Sequence, residues 1–279
     1  LLGRDNKLTR KVEIMKAWEN IINSPIKGRT QKPRINGITM VIDKGLGLQE
    51  TKDLILLAGD YIDIIKLAFG TSAFYEEKLL KEKNRLINKA GIYVMPGGTF
   101  LEVAVWKNVY EKYLRRAKEL EFTAIEVSDG TIEIDLEKRK KIIKKAVSMG
   151  FRVISEVGKK DPNEKISISL MHKEILSDLE CGVFKVIVEA REVGRGIGIY
   201  DEEGKIKEEE IDKIISGIKD VNCLIWEAPH KNQQKYLILR FGPNVNLGNI
   251  LPEEVLALEA LRQGLRGDTL KKAYLENKK

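Results

Sequence analysis

Four short apolar runs in this chain end in a glutamate, at Glu126, Glu156, Glu189 and Glu227. Their spacing of roughly 30–40 residues is the length of one strand-helix unit. If the runs are parallel strands, their last residues gather on one rim of a sheet and four carboxylates converge. Like charges held that close repel, and each raises the pKa of its neighbours unless a cation neutralises the set. Hard oxygen donors of this kind suit Mg²⁺, Mn²⁺ or Ca²⁺ rather than a soft metal. The competing account of any single glutamate is a solvated strand end or the partner of a lysine.

The elements that must position these groups follow from periodicity. Apolar runs near 37–43, 61–66, 92–95, 124–128, 151–156, 184–189, 222–227 and 244–247 read as strands. Amphipathic stretches near 50–58, 73–90, 100–120, 135–149, 164–181, 206–218, 231–240 and 252–264 read as helices. Strict alternation argues for a parallel sheet, and eight repeats argue for closure into an α/β (β/α)₈ TIM barrel. The two-residue strand period turns Ala124, Glu126 and Ser128 toward the axis and Ile125 and Val127 toward the helices; Glu227 is expected to share parity with Ile225 and Cys223.

Residues 34–279 are expected to form the barrel and residues 1–33 an N-terminal helical extension. There Ile14, Trp18, Ile21 and Ile22 recur at helical spacing, Thr9 can cap, and Ser24-Pro25 breaks the pattern. This helix is expected to lie against the barrel or against a neighbour in a homo-oligomer. The chain starts with Leu, so a truncated or processed sequence is expected.

Barrel enzymes keep their chemistry at the carboxyl ends of the strands. That rim offers Asp43-Lys44, Lys66, Gly97-Gly98-Thr99, Glu126 with Ser128-Asp129, Glu156 with Lys159-Lys160, Glu189 with Arg191, Glu227, and Asn246 with Asn249. Glu126, Glu156 and Glu189 are the first candidates for metal ligands, with Asp43 and Glu227 behind them. The Gly97-Gly98 turn opens a helix, where free N–H groups and the positive end of the dipole can hold an anion, although it also reads as an ordinary tight turn. Three glycines and two arginines in the loop from Arg191 to Gly198 would let the backbone approach a phosphate while Arg191 and Arg195 grip it; a lid or a surface loop is the other reading. Acid–base work falls to lysine or carboxylate, because His172 reads as a surface residue and His230 alone cannot build a histidine site. Lys44, Lys66, Lys159 and Lys160 are the lysines in reach.

Lysine and arginine number 49 against 42 acidic residues, giving a formal charge of +7. This favours small anionic ligands. Nucleic acid is not expected, since no binding motif accompanies the charge and the basic run Lys138-Arg139-Lys140-Lys141 reads as a solvated helix face. No apolar stretch is long enough for a membrane span and no secretory leader is evident, so a cytoplasmic location is expected. Abundant lysine, glutamate and isoleucine fit heat adaptation, and Cys181 and Cys223 read as free buried thiols.

Ten segments together resemble the phosphosulfolactate synthase family. They include Gly37-Ile-Thr-Met-Val-Ile-Asp-Lys-Gly45, Gly59-Asp-Tyr-Ile-Asp63, Phe69-Gly-Thr-Ser-Ala73, Pro96-Gly-Gly-Thr99, Glu126-Val-Ser-Asp-Gly130 and Glu156-Val-Gly-Lys-Lys160. Gly194-Arg-Gly-Ile-Gly-Ile-Tyr-Asp201, Glu227-Ala-Pro229, Asn246-Leu247 and Leu265-Arg-Gly-Asp-Thr269 complete the set. The resemblance implies a (β/α)₈ barrel, Mg²⁺ dependence, a cytoplasmic enzyme, and addition of sulfite to phosphoenolpyruvate on the way to sulfolactate or coenzyme M. A lysine in the family's Gly-Lys-Lys segment points to Lys160 as general acid, with Lys159 second. Arg191, Arg195, Gly97 and Gly98 are then expected to bind phosphate and carboxylate, and Lys44 or Lys66 sulfite. Two alternatives stand beside it. Plant heat-stress-associated proteins also resemble this family, so a non-catalytic thermotolerance barrel is one; a metal-assisted lyase or isomerase acting on another phosphorylated enol is the other.

Overall fold

The computed structural model describes residues 16–279 apart from 162, 165, 192, 277 and 279. Eight strands are present among them: β1 (Thr39–Asp43), β2 (Ile64–Leu67), β3 (Tyr93–Pro96), β4 (Ala124–Val127), β5 (Arg152–Val157), β6 (Lys185–Val188), β7 (Leu224–Glu227) and β8 (Leu247–Ile250). Every pairing between these strands is parallel, in the order β3-β2-β1-β8-β7-β6-β5-β4. The remaining seam, between β3 and β4, is drawn together by Thr123 N donating to the Val94 carbonyl at 3.1 Å. Helices surround this nearly closed barrel, as the alternation predicts.

Both faces of the sheet are buried, which is why its strands read as near-continuous apolar runs. Val41, Ile65, Val94, Ile125, Val153, Val186 and Trp226 pack outward against the helices. Ile38, Met40, Ile64, Met95, Ala124, Ile154, Ile187 and Ile225 form a separate cluster inside the barrel. The expected parity of Ala124, Ile125, Val127 and Ile225 therefore holds. Cys223 instead packs with the outer layer, because it belongs to the 3₁₀ turn Val221–Cys223 that precedes β7.

Several boundaries differ from the expectation for local reasons. The last strand begins at Leu247 because Asn246 serves as a clasp, accepting from Ile38 N at 3.0 Å and donating to the Asn222 and Leu224 carbonyls. The stretch 100–120 is two helices, Gly98–Trp106 and Tyr110–Glu119, parted by Asn108 at φ 56°. A further helix, Gly267–Glu276, closes the chain. Arg139 is no solvated residue: it is buried and bonded to Asp178 and Asp129. His172 is half-buried, its Nε2 lying 2.8 Å from the Ile214 carbonyl oxygen.

Of the expected N-terminal helix, Thr9 and Ile14 lie outside the described residues. Residues 17–21 form a turn, and Trp18 and Ile21 are 68% and 73% exposed, so this segment lays no apolar face on the barrel. Its contacts with the barrel are polar: Lys16 pairs with Asp60 at 2.7 Å, and further on Ile26 N donates to the Gln263 carbonyl and Arg29 pairs with Glu259 at 3.0 Å.

Candidate functional site

The inner side chain two residues beyond the barrel's apolar layer is charged on five strands: Ile64 leads to Lys66, Ala124 to Glu126, Ile154 to Glu156, Ile187 to Glu189 and Ile225 to Glu227. All five are buried. In the register Glu126 faces Ile154 and Glu156 faces Ile187, an offset of the kind that strand tilt in a barrel brings back to a common height. Above this layer opens a cleft of about 670 Å³.

Two ammonium groups hold the carboxylates together. Lys66 Nζ lies 3.0 Å from Glu126 Oε2 and 3.4 Å from both Glu156 Oε2 and Glu227 Oε1. Lys160 Nζ lies 2.9 Å from Glu156 Oε1 and 3.6 Å from Glu189 Oε2. Lys160 also donates to Ser128 Oγ and Thr99 Oγ1, each at 3.2 Å.

The electrostatics follow from that crowding. Burial pushes Glu189 well above the usual carboxylate range, and the neighbouring charges of Glu156 and Glu227 push it further. Burial raises Glu126 to about 7 against the pull of Lys66; it also moves Glu227 above its ordinary value against that same pull. Glu156 goes the other way: burial is outweighed by Lys160 and Lys66, which hold it well below its ordinary value. Burial disfavours both ammonium ions, yet the surrounding carboxylates win and raise Lys66 and Lys160 well above an ordinary lysine.

The donor set fits a hard divalent cation. One carboxylate oxygen from each of Glu156, Glu189 and Glu227 lies within 4.8 Å of the others. Glu189 Oε2 is buried with no hydrogen-bond partner, while its other oxygen accepts from Arg191 N at 2.6 Å. Glu227 Oε2 is fixed by Ala190 N at 2.9 Å. Buried all-oxygen ligands of this type suit Mg²⁺.

Glycine makes the close approach feasible at two points. Gly98 abuts Glu126 and Ser128, and Gly158, at φ 118°, lies where a Cβ would sit 2.9 Å from Glu189 Cβ. Gly97, Gly98 and Thr99 line the cleft at the start of the helix Gly98–Trp106, whose first N–H groups have no intrahelical acceptor. Arg191 and Asn249 also line it, both with left-handed backbone at φ 57° and 53°. Asn249 Oδ1 is buried and unpartnered. Backbone strain of this kind collects where a site demands it.

Other expected residues stand apart from the cleft. Asp43 ends β1 but is bound to Lys83 at 2.6 Å, and its other oxygen caps Gly45 N and Leu46 N at 2.8 Å. Lys159 donates to the Asp129 carbonyl at 3.0 Å and does not line the cleft. Lys44 and Arg195 are exposed and absent from its lining. The glycine loop is tied down, with Gln233 Nε2 donating to the Gly194 carbonyl at 2.7 Å.

Glu102 escaped the sequence reading. It is buried on the helix Gly98–Trp106, where one oxygen accepts from Thr131 N and Ile132 N at 2.8 Å and the other lies 3.2 Å from Ser128 Oγ and 3.6 Å from Lys160 Nζ. The signal was a lone carboxylate inside the apolar run Leu101-Glu102-Val103-Ala104-Val105.

A parallel barrel with a buried carboxylate–lysine cluster at the carboxyl rim defines an enzyme equipped for metal-assisted chemistry. The chain belongs to the phosphosulfolactate synthase (ComA) family: the family model for (2R)-phospho-3-sulfolactate synthase matches residues 27–268. It is 45% identical over 249 residues to the phosphosulfolactate synthase of Methanothermobacter thermautotrophicus, covering 88% of this chain and 96% of that protein. The phosphosulfolactate synthase of Bacillus subtilis is 40% identical over 243 residues, covering 86% and 95%. Among solved structures, phosphonopyruvate hydrolase in complex with oxalate and Mg²⁺ aligns with TM-score 0.53 at 12% identity, covering 82% of this chain and 80% of that one, a likeness of fold alone. No helix among the described residues is long and apolar enough to cross a membrane.

Proposed function

We propose that this chain adds sulfite to phosphoenolpyruvate to give 2-phospho-3-sulfolactate, with Lys160 as the general acid. The observation that carries the assignment is the direction of the two adjacent lysines. Lys160 enters the cleft between Glu156, Glu189, Ser128 and Thr99, whereas Lys159 turns to a backbone carbonyl.

Sulfur attacks the methylene carbon and forms the C–S bond, and the π electrons move to the phosphate-bearing carbon and its carboxylate. Lys160 then delivers a proton to that carbon, so the adduct gains one sulfite and one proton and loses nothing. Glu156, Glu189 and Glu227 would hold Mg²⁺, which when bound supplies electrostatic stabilisation of the charge developing on the carboxylate. The same carboxylates set the acidity of Lys160. Uncompensated, they keep its proton tightly held; neutralised, they release it toward a transferable range. Lys66 stays charged among Glu126, Glu156 and Glu227 and keeps the layer from repelling itself apart. The first turn at Gly98-Thr99 and Arg191 face the same cleft and suit the phosphate and carboxylate oxygens.

Incubation with phosphoenolpyruvate, sulfite and Mg²⁺, followed by phosphorus NMR, tests the reaction: a new phosphate ester resonance requiring all three is expected. Product formed without sulfite would point to another enol reaction. Near-normal turnover in Lys160→Ala removes that residue from the mechanism.

A further inference from the structure

The opposite mouth of the barrel carries the reverse charge. There a second cavity, of about 490 Å³, lies between the segment that precedes β1 and the starting ends of β3, β5 and β6. Ile35, Tyr93 and Phe184 give it an apolar wall that is not fully buried, and Lys32, Arg34 and Arg152 bring cations to it against one lining carboxylate, Asp63.

Each cation is placed but underused. Arg34 has a side chain only 2% exposed; its Nη1 lies 3.3 Å from Asp63 Oδ2 and its Nη2 donates to the Asp60 carbonyl, while Nε is buried with no partner. Lys32 Nζ donates to the Gly59 carbonyl at 2.9 Å. Arg152 donates to Tyr93 Oη at 2.8 Å and lies over the Phe184 ring at 4.5 Å. Burial pushes Lys32 and Arg34 below their ordinary values, and Lys185, beside Phe184, is pushed down by burial as well. Positive charge is thus held in a half-buried space with too little counter-charge, and a buried N–H without an acceptor is costly.

We propose that this floor cavity binds a small organic anion, its carboxylate, sulfonate or phosphate oxygens between Lys32 and Arg152 over the buried Arg34 guanidinium, and its apolar body against Ile35, Tyr93 and Phe184. The oxygens supply counter-charge to Lys32, Arg152 and the Arg34 beneath them, and the body covers the part of Ile35, Tyr93 and Phe184 that a bare inorganic ion would leave in water. The site is separate from the catalytic cleft, which opens at the other end of the strands.

Calorimetric titration of the full chain with phenyl phosphate, and in parallel with inorganic phosphate, tests the site. Phenyl phosphate is expected to bind more tightly than inorganic phosphate, and to lose affinity on the order of tenfold in Lys32→Ala and in Arg152→Ala, the loss of a charge-assisted contact. Both variants remove partly solvent-facing side chains, and thermal denaturation verifies that they are folded. Synthase turnover stays at the wild-type level in both. An isotherm unchanged by either floor variant but lost in Lys160→Ala belongs to the cleft and overturns the floor site, as does the absence of binding by the wild-type chain. Equal affinity for the two phosphates overturns the organic character of the ligand.

Discussion

Gly98 stands directly against Glu126: a Cβ built on Gly98 would lie 2.7 Å from Glu126 Oε1 and 2.6 Å from Ser128 Cβ. The turn that offers its N–H groups to the cleft and the carboxylate that steadies Lys66 therefore share one contact. Gly98→Ala must displace one of them. Misplacement by an ångström in such a site costs up to about 100-fold in rate, so turnover is expected to fall by roughly tenfold to 100-fold. The melting temperature should move far less, and an active enzyme with normal turnover would show that the contact relaxes harmlessly.

Arg139 ties four elements together behind the cleft. Its guanidinium contacts Asp178 Oδ2 at 2.6 Å, Asp129 Oδ1 at 3.0 Å and the Glu156 carbonyl at 3.0 Å, joining two helices to the rims of β4 and β5. Removing one partner of a buried ion pair leaves the others uncompensated and costs about 3–5 kcal/mol. Arg139→Gln is expected to lose stability on that scale in denaturant unfolding. Adding Asp178→Asn should restore part of it, because the stranded charge is gone.

The barrel was legible because inward and outward residues alternate and because eight apolar runs recur at unit length; Glu156, Glu189 and Glu227 became visible together through that same period. What the sequence hid was pairing across distance. Asp43 ends a strand in the right place, yet Lys83, from the helix Glu77–Lys89, occupies it. Lys159 and Lys160 are chemically alike, and only the path of the chain after β5 decides that one enters the cleft and the other meets a backbone carbonyl. Arg139 sat in a basic run that looked solvated, yet it precedes Ile142, Ile143 and Ala146 by three, four and seven residues and so shares their buried stripe.

Glu189 and Glu102 separate metal binding from scaffolding. Glu189 keeps a buried oxygen without a hydrogen-bond partner, whereas one oxygen of Glu102 is taken by Thr131 N and Ile132 N and the other lies 3.2 Å from Ser128 Oγ. Glu189→Gln preserves shape and removes a ligand charge, so the Mg²⁺ concentration for half-maximal activity should rise about tenfold or more. Glu102→Gln should lower turnover with that Mg²⁺ requirement unchanged. A shared shift in both would place Glu102 in the metal environment.

Glu174 gives the fold a pH dependence of its own. It is buried on the helix Ile168–Glu180, and its Oε2 has no hydrogen-bond partner. Burial, with the charge of Asp129 added, raises its carboxyl to about 7 despite the attraction of Arg139. Because the folded chain holds this proton more tightly than the unfolded one, the associated stability is full below the unfolded value of about 4.5 and is lost as pH rises through about 7. Glu174→Gln keeps a neutral side chain at every pH and removes that loss. Its melting temperature is expected to exceed that of the wild-type chain by roughly 2–4 °C at pH 8 for each kcal/mol regained. The difference should shrink as pH falls toward 5, and a gap between the two that stays constant from pH 5 to 8 would exclude Glu174 as the titrating group.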